Sequence, residues 1–104
     1  MIDLHTHTFF SDGDLIPSEL VCRAKNAGYK TIALTDHCDF SNMDFVIRRI
    51  TRVTDGLRRY YKINVIVGCE ITYIPPELIS KAVKQARKLG AKIVVVHGES
   101  PVEP

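Results

Sequence analysis

The sequence of 104 residues lacks tryptophan, and it lacks any long hydrophobic run. Its longest apolar stretches, such as Ile93–Val96, fall far short of the roughly 20 apolar residues that a membrane-spanning helix needs. The N-terminus also lacks the features of a signal peptide, because Asp3, His5 and His7 stand where a basic segment and an apolar core would be required. These absences predict a cytoplasmic protein.

Cysteine is also scarce. Cys22, Cys38 and Cys69 are odd in number and form no Cys-x-x-Cys motif, which argues against a disulfide framework. Cys22 lies in a helical pattern, where a small core residue is expected.

The charge balance lacks a strong excess of either sign. The formal net charge is +2, too small to indicate a nucleic-acid or membrane-surface protein on its own. Five arginines do cluster in one helical stretch, at positions 48, 49, 52, 58 and 59. A solvated helix face is the favoured interpretation of this cluster, and a phosphate-binding or RNA-binding face is the alternative.

Apolar residues and chain-breaking residues alternate in an order that predicts four strands separated by three helices. The predicted strands are Ile2–His5, Thr31–Thr35, Asn64–Cys69 and Ile93–Val96, the last of them expected to be buried on both faces. The helices are expected to begin at Pro17, at Ser41 or Asn42, and at Pro75–Pro76, and Gly28 and Gly90 to end the first and third. The fold class is therefore α/β, a parallel βαβαβαβ arrangement in a single domain.

All four histidines and one glutamate stand at the ends of predicted strands. His5 and His7 follow the first strand, His37 the second, Glu70 the third and His97 the fourth. The carboxyl ends of parallel strands gather on one face, where the active sites of α/β proteins lie. One such histidine is usually a hydrogen-bonded loop residue, but the repetition over four strands predicts a metal site.

The spacing of His5 and His7 has its own geometric meaning. Alternate residues of a strand point the same way, so both imidazoles can face one cation. Imidazole and carboxylate together suit Zn²⁺, Mn²⁺ or Fe²⁺. The two oxygens of Glu70 can bridge two such ions, which could activate a shared water as hydroxide and hold a phosphoryl group.

Three aspartates near these residues have more than one interpretation. Asp36 could orient His37 from the second shell of a metal site, or it could satisfy backbone amides in the turn. Asp3 could be a second-shell acceptor for the N-terminal histidines or a buried, satisfied carboxylate. Asp12 precedes a glycine, and on local evidence this dipeptide favours a simple turn.

Two cysteines adjoin candidate ligands but are not expected to bind metal themselves. Cys38 follows His37 and Cys69 precedes Glu70. Neighbouring residues of a strand point to opposite faces, so both thiols are expected to point into the helix layer.

The motifs together resemble the PHP family (polymerase and histidinol phosphatase). The resemblance is carried by four segments in order, namely His5-Thr6-His7 with Ser11-Asp12-Gly13, Leu34-Thr35-Asp36-His37, Gly68-Cys69-Glu70, and Val96-His97-Gly98. It implies the first half of a distorted (β/α)₇ barrel, similar to a TIM barrel. It also implies up to three divalent metal ions at the carboxyl ends of the strands.

The resemblance also implies a role for each matched residue. His5 and His7 would bind the first metal, Glu70 would bridge the first and second, His97 would bind the second, and Asp12 and His37 would bind the third. Glu70 and His97 are accordingly the predicted catalytic residues, with Asp3 and Asp36 in the second shell. For Asp12 this reverses the interpretation favoured by the local sequence.

By resemblance, the expected activity is hydrolysis of a phosphate ester by a metal-activated hydroxide. Small phosphorylated metabolites, as in histidinol phosphatases, are favoured over nucleic acid because no large basic surface is evident. The alternative is a non-catalytic binding or assembly module, similar to the PHP-like, RNA-binding protein subunit of ribonuclease P. A third candidate, an amidohydrolase-type barrel, is disfavoured because Glu70 follows the third strand, whereas that family uses a carbamylated lysine after the fourth.

The later ligands of the family, a further histidine and an Asp-x-His segment, do not follow His97 in these 104 residues. We therefore expect the chain to correspond to the N-terminal half of a barrel. We also expect the isolated chain to be inactive, or to associate with itself or with the missing half.

Overall fold

A computed structural model describes residues 1–97 of the chain. The strands are β1 (Ile2–Thr6), β2 (Thr31–Leu34), β3 (His37–Cys38), β4 (Asn64–Ile71) and β5 (Ile93–Val96). The helices are α1 (Pro17–Asn26), α2 (Met43–Tyr61) and α3 (Ile79–Leu89), the last preceded by a 3₁₀ turn over Pro76–Leu78. Gly98, which belongs to the last of the four motifs, lies outside the described residues.

Every strand pair in the sheet is parallel. β1 pairs with β2, while β2, β3 and β5 all pair with the central strand β4. β2 and β3 share one register against β4, because Leu34 lies opposite Val67 and His37 lies opposite Glu70. They are therefore two pieces of one strand position. The sheet curls into a half-barrel of alternating strands and helices, which confirms the predicted α/β class.

The short strand β3 differs from the sequence prediction, in which the second strand ends at Thr35 and no strand follows it before the second helix. The Glu70 amide donates to the Asp36 carbonyl at 2.8 Å, and the Thr72 amide donates to the Cys38 carbonyl at 3.0 Å. Pairing with β4 thus continues beyond the break after β2. This extension holds His37 on the strand, directly beside Glu70.

The three helices cover one face of the sheet and bury their apolar sides against it. The core includes Val21 and Ala24 of α1, Val46, Ile47 and Ile50 of α2, and Ala82 and Ala86 of α3. Cys38 and Cys69 are 2% and 0% exposed and belong to this same core. Both thiols therefore lie on the helix side of the sheet, as predicted.

The helix ends follow the predicted signals with one difference. Pro17 is the first residue of α1, and Gly28 and Gly90 adopt positive φ angles of 94° and 118° just beyond α1 and α3. Asn42 occupies the N-cap position of α2, but its side chain makes no capping bond to the helix. Its Oδ1 instead accepts a hydrogen bond of 2.8 Å from the Asp39 amide, and so closes the turn that precedes the helix.

The outer strands of the half-barrel are more exposed than the sequence suggests. The prediction that Ile93–Val96 is buried on both faces is wrong for the described chain, since Val96 is 46% exposed. The physical reason is that β5 pairs with β4 alone within residues 1–97. Ile2 and Leu4 of β1 are likewise exposed.

None of the helices within residues 1–97 is both long enough and apolar enough to cross a membrane.

Gly68 of β4 sits where the backbone has no room for a side chain. A Cβ atom there would collide with the Ile93 carbonyl of β5 and would lie 2.9 Å from Cγ2 of Thr35. We expect Gly68→Ala to lower the free energy of unfolding by about 1–3 kcal/mol, because the strands must move apart. Urea unfolding would measure the effect.

Gly56 provides the matched control for this substitution. A Cβ atom at Gly56 would meet nothing within 4 Å, and the residue lies inside α2, where alanine is favoured over glycine by about 1 kcal/mol. Gly56→Ala should therefore stabilise the protein. An unfolding midpoint for Gly68→Ala at or above that of the wild type would contradict the packing assigned to Gly68.

Candidate metal centre

The carboxylate of Glu70 is the centre of the site. Glu70 lies near the end of β4, and its side chain is only 5% exposed. Its Oε1 lies 2.7 Å from Nε2 of His5 and 2.7 Å from Nε2 of His7. Its Oε2 lies 2.9 Å from Nδ1 of His97. One buried carboxylate thus contacts imidazoles from both outer strands of the sheet.

The two N-terminal histidines reach Glu70 together, as their spacing predicts. His5 lies within β1 and His7 follows the strand by one residue. The register between β1 and β2 shifts between Asp3 and Thr6, which marks an irregularity where the strand approaches the site. The rings of His5 and His7 pack edge to face at 5.1 Å.

Asp12 joins two of the histidines from the loop after β1. Its Oδ1 lies 2.6 Å from Nδ1 of His7, and its Oδ2 lies 3.2 Å from Nε2 of His37. The same segment forms a tight turn, in which the Gly13 amide donates to the Thr8 carbonyl at 2.9 Å. The structure therefore combines both interpretations of Asp12, a turn residue whose carboxylate faces the site.

His37 and His97 complete the cluster of imidazoles. Their ring centroids are 5.6 Å apart. The His97 amide donates to the Ile71 carbonyl at 2.8 Å, which fixes the backbone of His97 directly after β5. All six candidate ligands named from the sequence are therefore gathered at the carboxyl ends of the strands.

The donor atoms of these six residues form three overlapping groups. The groups are His5 with His7 and Glu70, His7 with Asp12 and His37, and His37 with Glu70 and His97. Within each group one ligand atom per residue lies within 4.8 Å of the others. Imidazole nitrogens and carboxylate oxygens are the donors that Zn²⁺, Mn²⁺ and Fe²⁺ accept. The donor set fits the divalent metals that the sequence predicts.

Asp36 acts on the loop after β1 and not on the ring of His37. The residue is fully buried, and its carboxylate accepts hydrogen bonds from the Thr8 amide at 2.6 Å, the Thr8 hydroxyl at 2.7 Å and the Ser11 hydroxyl at 2.6 Å. Of the two roles considered from the sequence, these contacts match the one in the turn. Because Asp12 directly follows Ser11, these hydrogen bonds also fix the position of Asp12.

In the part of the chain that the structure describes, the Asp3 side chain meets the site at the backbone of His5 alone. Its Oδ1 accepts a hydrogen bond of 3.1 Å from the His5 amide, and the residue is partly exposed. Within the described residues Asp3 makes no contact with the ring of His5 or His7 that would orient it.

Sequence reasoning missed Thr72 and Tyr73. Oγ1 of Thr72 lies 2.6 Å from Nδ1 of His37 and donates a hydrogen bond of 3.1 Å to the Glu70 carbonyl. Tyr73 stacks on His97 at 6.4 Å and has a φ of 56°, unusual for a residue other than glycine. The spacing of two between Glu70 and Thr72 was the available signal, since alternate residues of a strand share a face.

The imidazoles control the charge of both carboxylates. Burial raises the pKa of Glu70, but hydrogen bonds with His5, His97 and His7 outweigh this effect and hold the pKa at about 2, against an ordinary value of 4.5. For Asp12, slight burial raises the pKa, but the charges of His7 and His37 outweigh this effect, so the pKa lies below its ordinary value of 3.8. Both side chains are thus held in the ionised form that ligates a cation.

A family model described as the PHP domain matches residues 3–97 of the chain. This range includes all six candidate ligands.

Three curated proteins illustrate the range of similar chains. An uncharacterized protein of Methanocaldococcus jannaschii is 55% identical over 103 residues, which is 98% of this chain and 47% of that protein. The 5'-3' exoribonucleases Rnm of Salmonella typhimurium and Escherichia coli are each 39% identical over 72 residues, covering 69% of this chain and 22% of theirs. The chain therefore spans half or less of the length of each of these relatives.

The lowered pKa of Glu70 predicts a specific acid sensitivity in metal-free protein. A carboxylate whose pKa is lower in the folded state stabilises the fold above its ordinary pKa, and this stabilisation is lost as the pH falls toward the folded value. Glu70→Gln should lower the free energy of unfolding by about 2 kcal/mol at neutral pH, since it removes charge-assisted hydrogen bonds. The advantage of the wild type should shrink as the pH falls from about 4.5 to about 2.

Urea unfolding over this pH range would measure the difference. Asp55→Asn is the matched control, because the side chain of Asp55 is 77% exposed and, among residues 1–97, forms an ion pair with Arg58 alone. Its stability profile should run parallel to that of the wild type. A difference between wild type and Glu70→Gln that does not change with pH would contradict the assigned charge state.

Proposed function

This chain belongs to the PHP domain family, and from that membership we propose that the full-length protein is a metal-dependent hydrolase of phosphate esters. The observation that supports the proposal is the convergence of four imidazoles and two carboxylates on one end of the sheet. Bound divalent ions would supply Lewis-acid activation of water and of a phosphoryl group. The chain's own residues would hold those ions and place them next to each other.

The ligand assignment follows the one that the family resemblance implies. His5 and His7 would hold the first ion together with Glu70, His97 would hold the second together with Glu70, and Asp12 and His37 would hold the third. Each histidine then serves one ion, as the single nitrogen lone pair of a neutral imidazole requires. The division agrees with the two faces that the Glu70 carboxylate presents, Oε1 toward β1 and Oε2 toward β5.

Thr72 supports the assignment of His37 to the third ion. The hydroxyl hydrogen of Thr72 is donated to the Glu70 carbonyl, so its oxygen accepts a hydrogen bond from Nδ1–H of His37. In the metal-bound protein, where His37 would be neutral, this tautomer would leave the Nε2 lone pair for an ion held together with Asp12. Hydrogen bonds of this kind orient metal-binding histidines in general.

Two classes of phosphate ester are candidate substrates. Small phosphorylated metabolites, including those of histidinol-phosphatase type, follow from the low net charge of the sequence. RNA is the second candidate, and the observation that favours it is the similarity over 72 residues to two proteins named as 5'-3' exoribonucleases. A non-catalytic RNA-binding module is the alternative to both, and it predicts neither bound metal nor turnover.

Metal content and turnover test the proposal directly. We expect the purified full-length protein to contain Zn, Mn or Fe by elemental analysis and to hydrolyse a chromogenic phosphate monoester when Mn²⁺ or Zn²⁺ is added. Full-length protein with no bound metal and no turnover would overturn the enzymatic function.

His5→Ala and Glu70→Ala should each reduce turnover by more than about 100-fold, since the loss of an outer partner of a metal ligand alone costs 10–100-fold. The fold should be retained, as judged by circular dichroism. Glu19→Gln is the control, because Glu19 lies on the exposed side of α1 and pairs with Arg23. Turnover near the wild-type level in either alanine variant would refute the assigned roles.

Thr72→Val should weaken binding of the third ion by about 10-fold or more, because His37 loses the acceptor that fixes its tautomer. Thr72→Ser retains the hydroxyl and should bind the metal like the wild type. Titration of metal-free protein with Zn²⁺, followed by calorimetry, would compare the two variants. Equal metal affinity in both would show that the hydroxyl does not position His37.

A further inference from the structure

A groove lies outside the metal centre, between the N-terminal end of α1 and the exposed side of α2. Its volume is about 300 Å³, and its lining includes Phe10, Ile16, Ser18, Arg49, Arg52 and Val53. Its walls are therefore apolar and aromatic, with two guanidinium groups on one side. None of the six candidate metal ligands lines it.

The cationic side of the groove has few partners in the protein. The guanidinium of Arg49 lies 4.9 Å from the centre of the Phe45 ring. In residues 1–97 neither Arg49 nor Arg52 forms an ion pair with a carboxylate. Arg58, nearer the C-terminal end of the same helix, is paired with Asp55 at 2.6 Å. The two arginines are thus available to an anionic ligand.

Two aromatic rings pack together at the edge of this groove. Phe10 lines the groove and is partly exposed. Phe45 lies beside the lining, packs edge to face on Phe10 with centroids 5.9 Å apart, and is 49% exposed. Proteins that bind single-stranded nucleic acids use exposed aromatic rings together with arginine to stack against bases.

The groove and the metal centre share one loop. The Phe10 amide donates to the Thr8 hydroxyl at 3.1 Å, and that hydroxyl donates to the buried Asp36 carboxylate. Asp12, two residues further along the same loop, contacts His7 and His37. One loop therefore supplies a residue to the groove lining and a residue to the metal centre.

We propose that this groove binds single-stranded RNA whose terminal phosphate lies at the metal centre. Arg49 and Arg52 would contact backbone phosphates, and Phe10 and Phe45 would stack against bases. RNA is chosen because the named relatives of this chain are exoribonucleases. The proposal rests on the proposed function, since it names the substrate class of the same site.

The groove lies between two helices that follow neighbouring strands of the sheet. Any further strand that paired with β1 or β5 would add to an edge of the sheet, away from the space between α1 and α2.

Binding in the absence of metal tests the groove apart from catalysis. The probe is a fluorescently labelled, 5'-phosphorylated RNA of about 12 nucleotides, within the range that single-strand-binding modules cover. Fluorescence anisotropy with the full-length protein in EDTA would give the affinity. The variant is Arg49→Gln with Arg52→Gln. Its matched control is Arg58→Gln with Arg59→Gln, which removes the same charge from the same helix outside the groove.

We expect the groove variant to bind RNA about 10-fold more weakly than the wild type and the control variant to bind it like the wild type. Each phosphate contact contributes about 0.7 to the slope of log affinity against log salt for a single strand, so the slope should become shallower by about 1.4. Phe45→Leu, which keeps the apolar volume but not the ring, should also weaken binding by about 10-fold.

Three results would overturn the inference. The first is equal weakening in the groove variant and the control variant, which would reduce the effect to overall charge. The second is tighter binding of single-stranded DNA of the same sequence. The third is wild-type affinity in both the double variant and Phe45→Leu. The proposed function is judged separately, by metal content and hydrolysis of the small ester, so either idea can fail without the other.

Discussion

The contact of one buried carboxylate with imidazoles from both sides is the interaction on which the site depends. An ionised Glu70 in an apolar sheet would be costly without partners. His5 and His7 contact one of its oxygens, and His97 contacts the other. These partners belong to β1 and to the residues just after β1 and β5, so the charge is compensated only when the whole sheet is in place. The same requirement brings the candidate ligands together.

A second buried carboxylate, that of Asp36, also joins separate segments of the chain. Asp36 follows β2, yet its oxygens are occupied by Thr8 and Ser11 from the loop after β1. The loop is thereby tied to the neighbouring strand. Asp12 and Phe10 lie on this tied loop, and they face the metal centre and the groove respectively. A single hydrogen-bonded anchor thus sets the relative position of the two surfaces.

Much of the fold, and the gathering of the candidate ligands at one end of the sheet, followed from the sequence, because paired parallel strands keep a constant offset in residue number. His37 and Glu70 are 33 residues apart, and they lie directly opposite each other because β2 and β3 keep that same offset against β4. The apolar periodicity of the helices likewise predicted which faces are buried. These features depend on local pattern and on strand direction alone.

The remainder depends on contacts between segments that lie far apart along the chain. The bonds of Asp36 to Thr8 and Ser11 depend on the path of a loop, and the contact of Thr72 with His37 depends on a register shared by two strands. The exposure of β5 was mispredicted because a continuous apolar run indicates how suitable a strand is for burial, and not what covers it. The site residues assigned from resemblance remain proposals that the geometry supports.

The long reach of the contacts to Glu70 has a consequence for the order of folding. His5 and His7 meet Glu70 across 65 and 63 residues of chain, so their contacts close loops that span most of the described structure. Because the entropy of closing such loops must be lost before the contacts form, we expect these contacts to form late in folding. We then expect partly folded forms to lack the assembled ligand cluster. A cation that binds the cluster would therefore stabilise the completely folded sheet and would not stabilise partly folded forms.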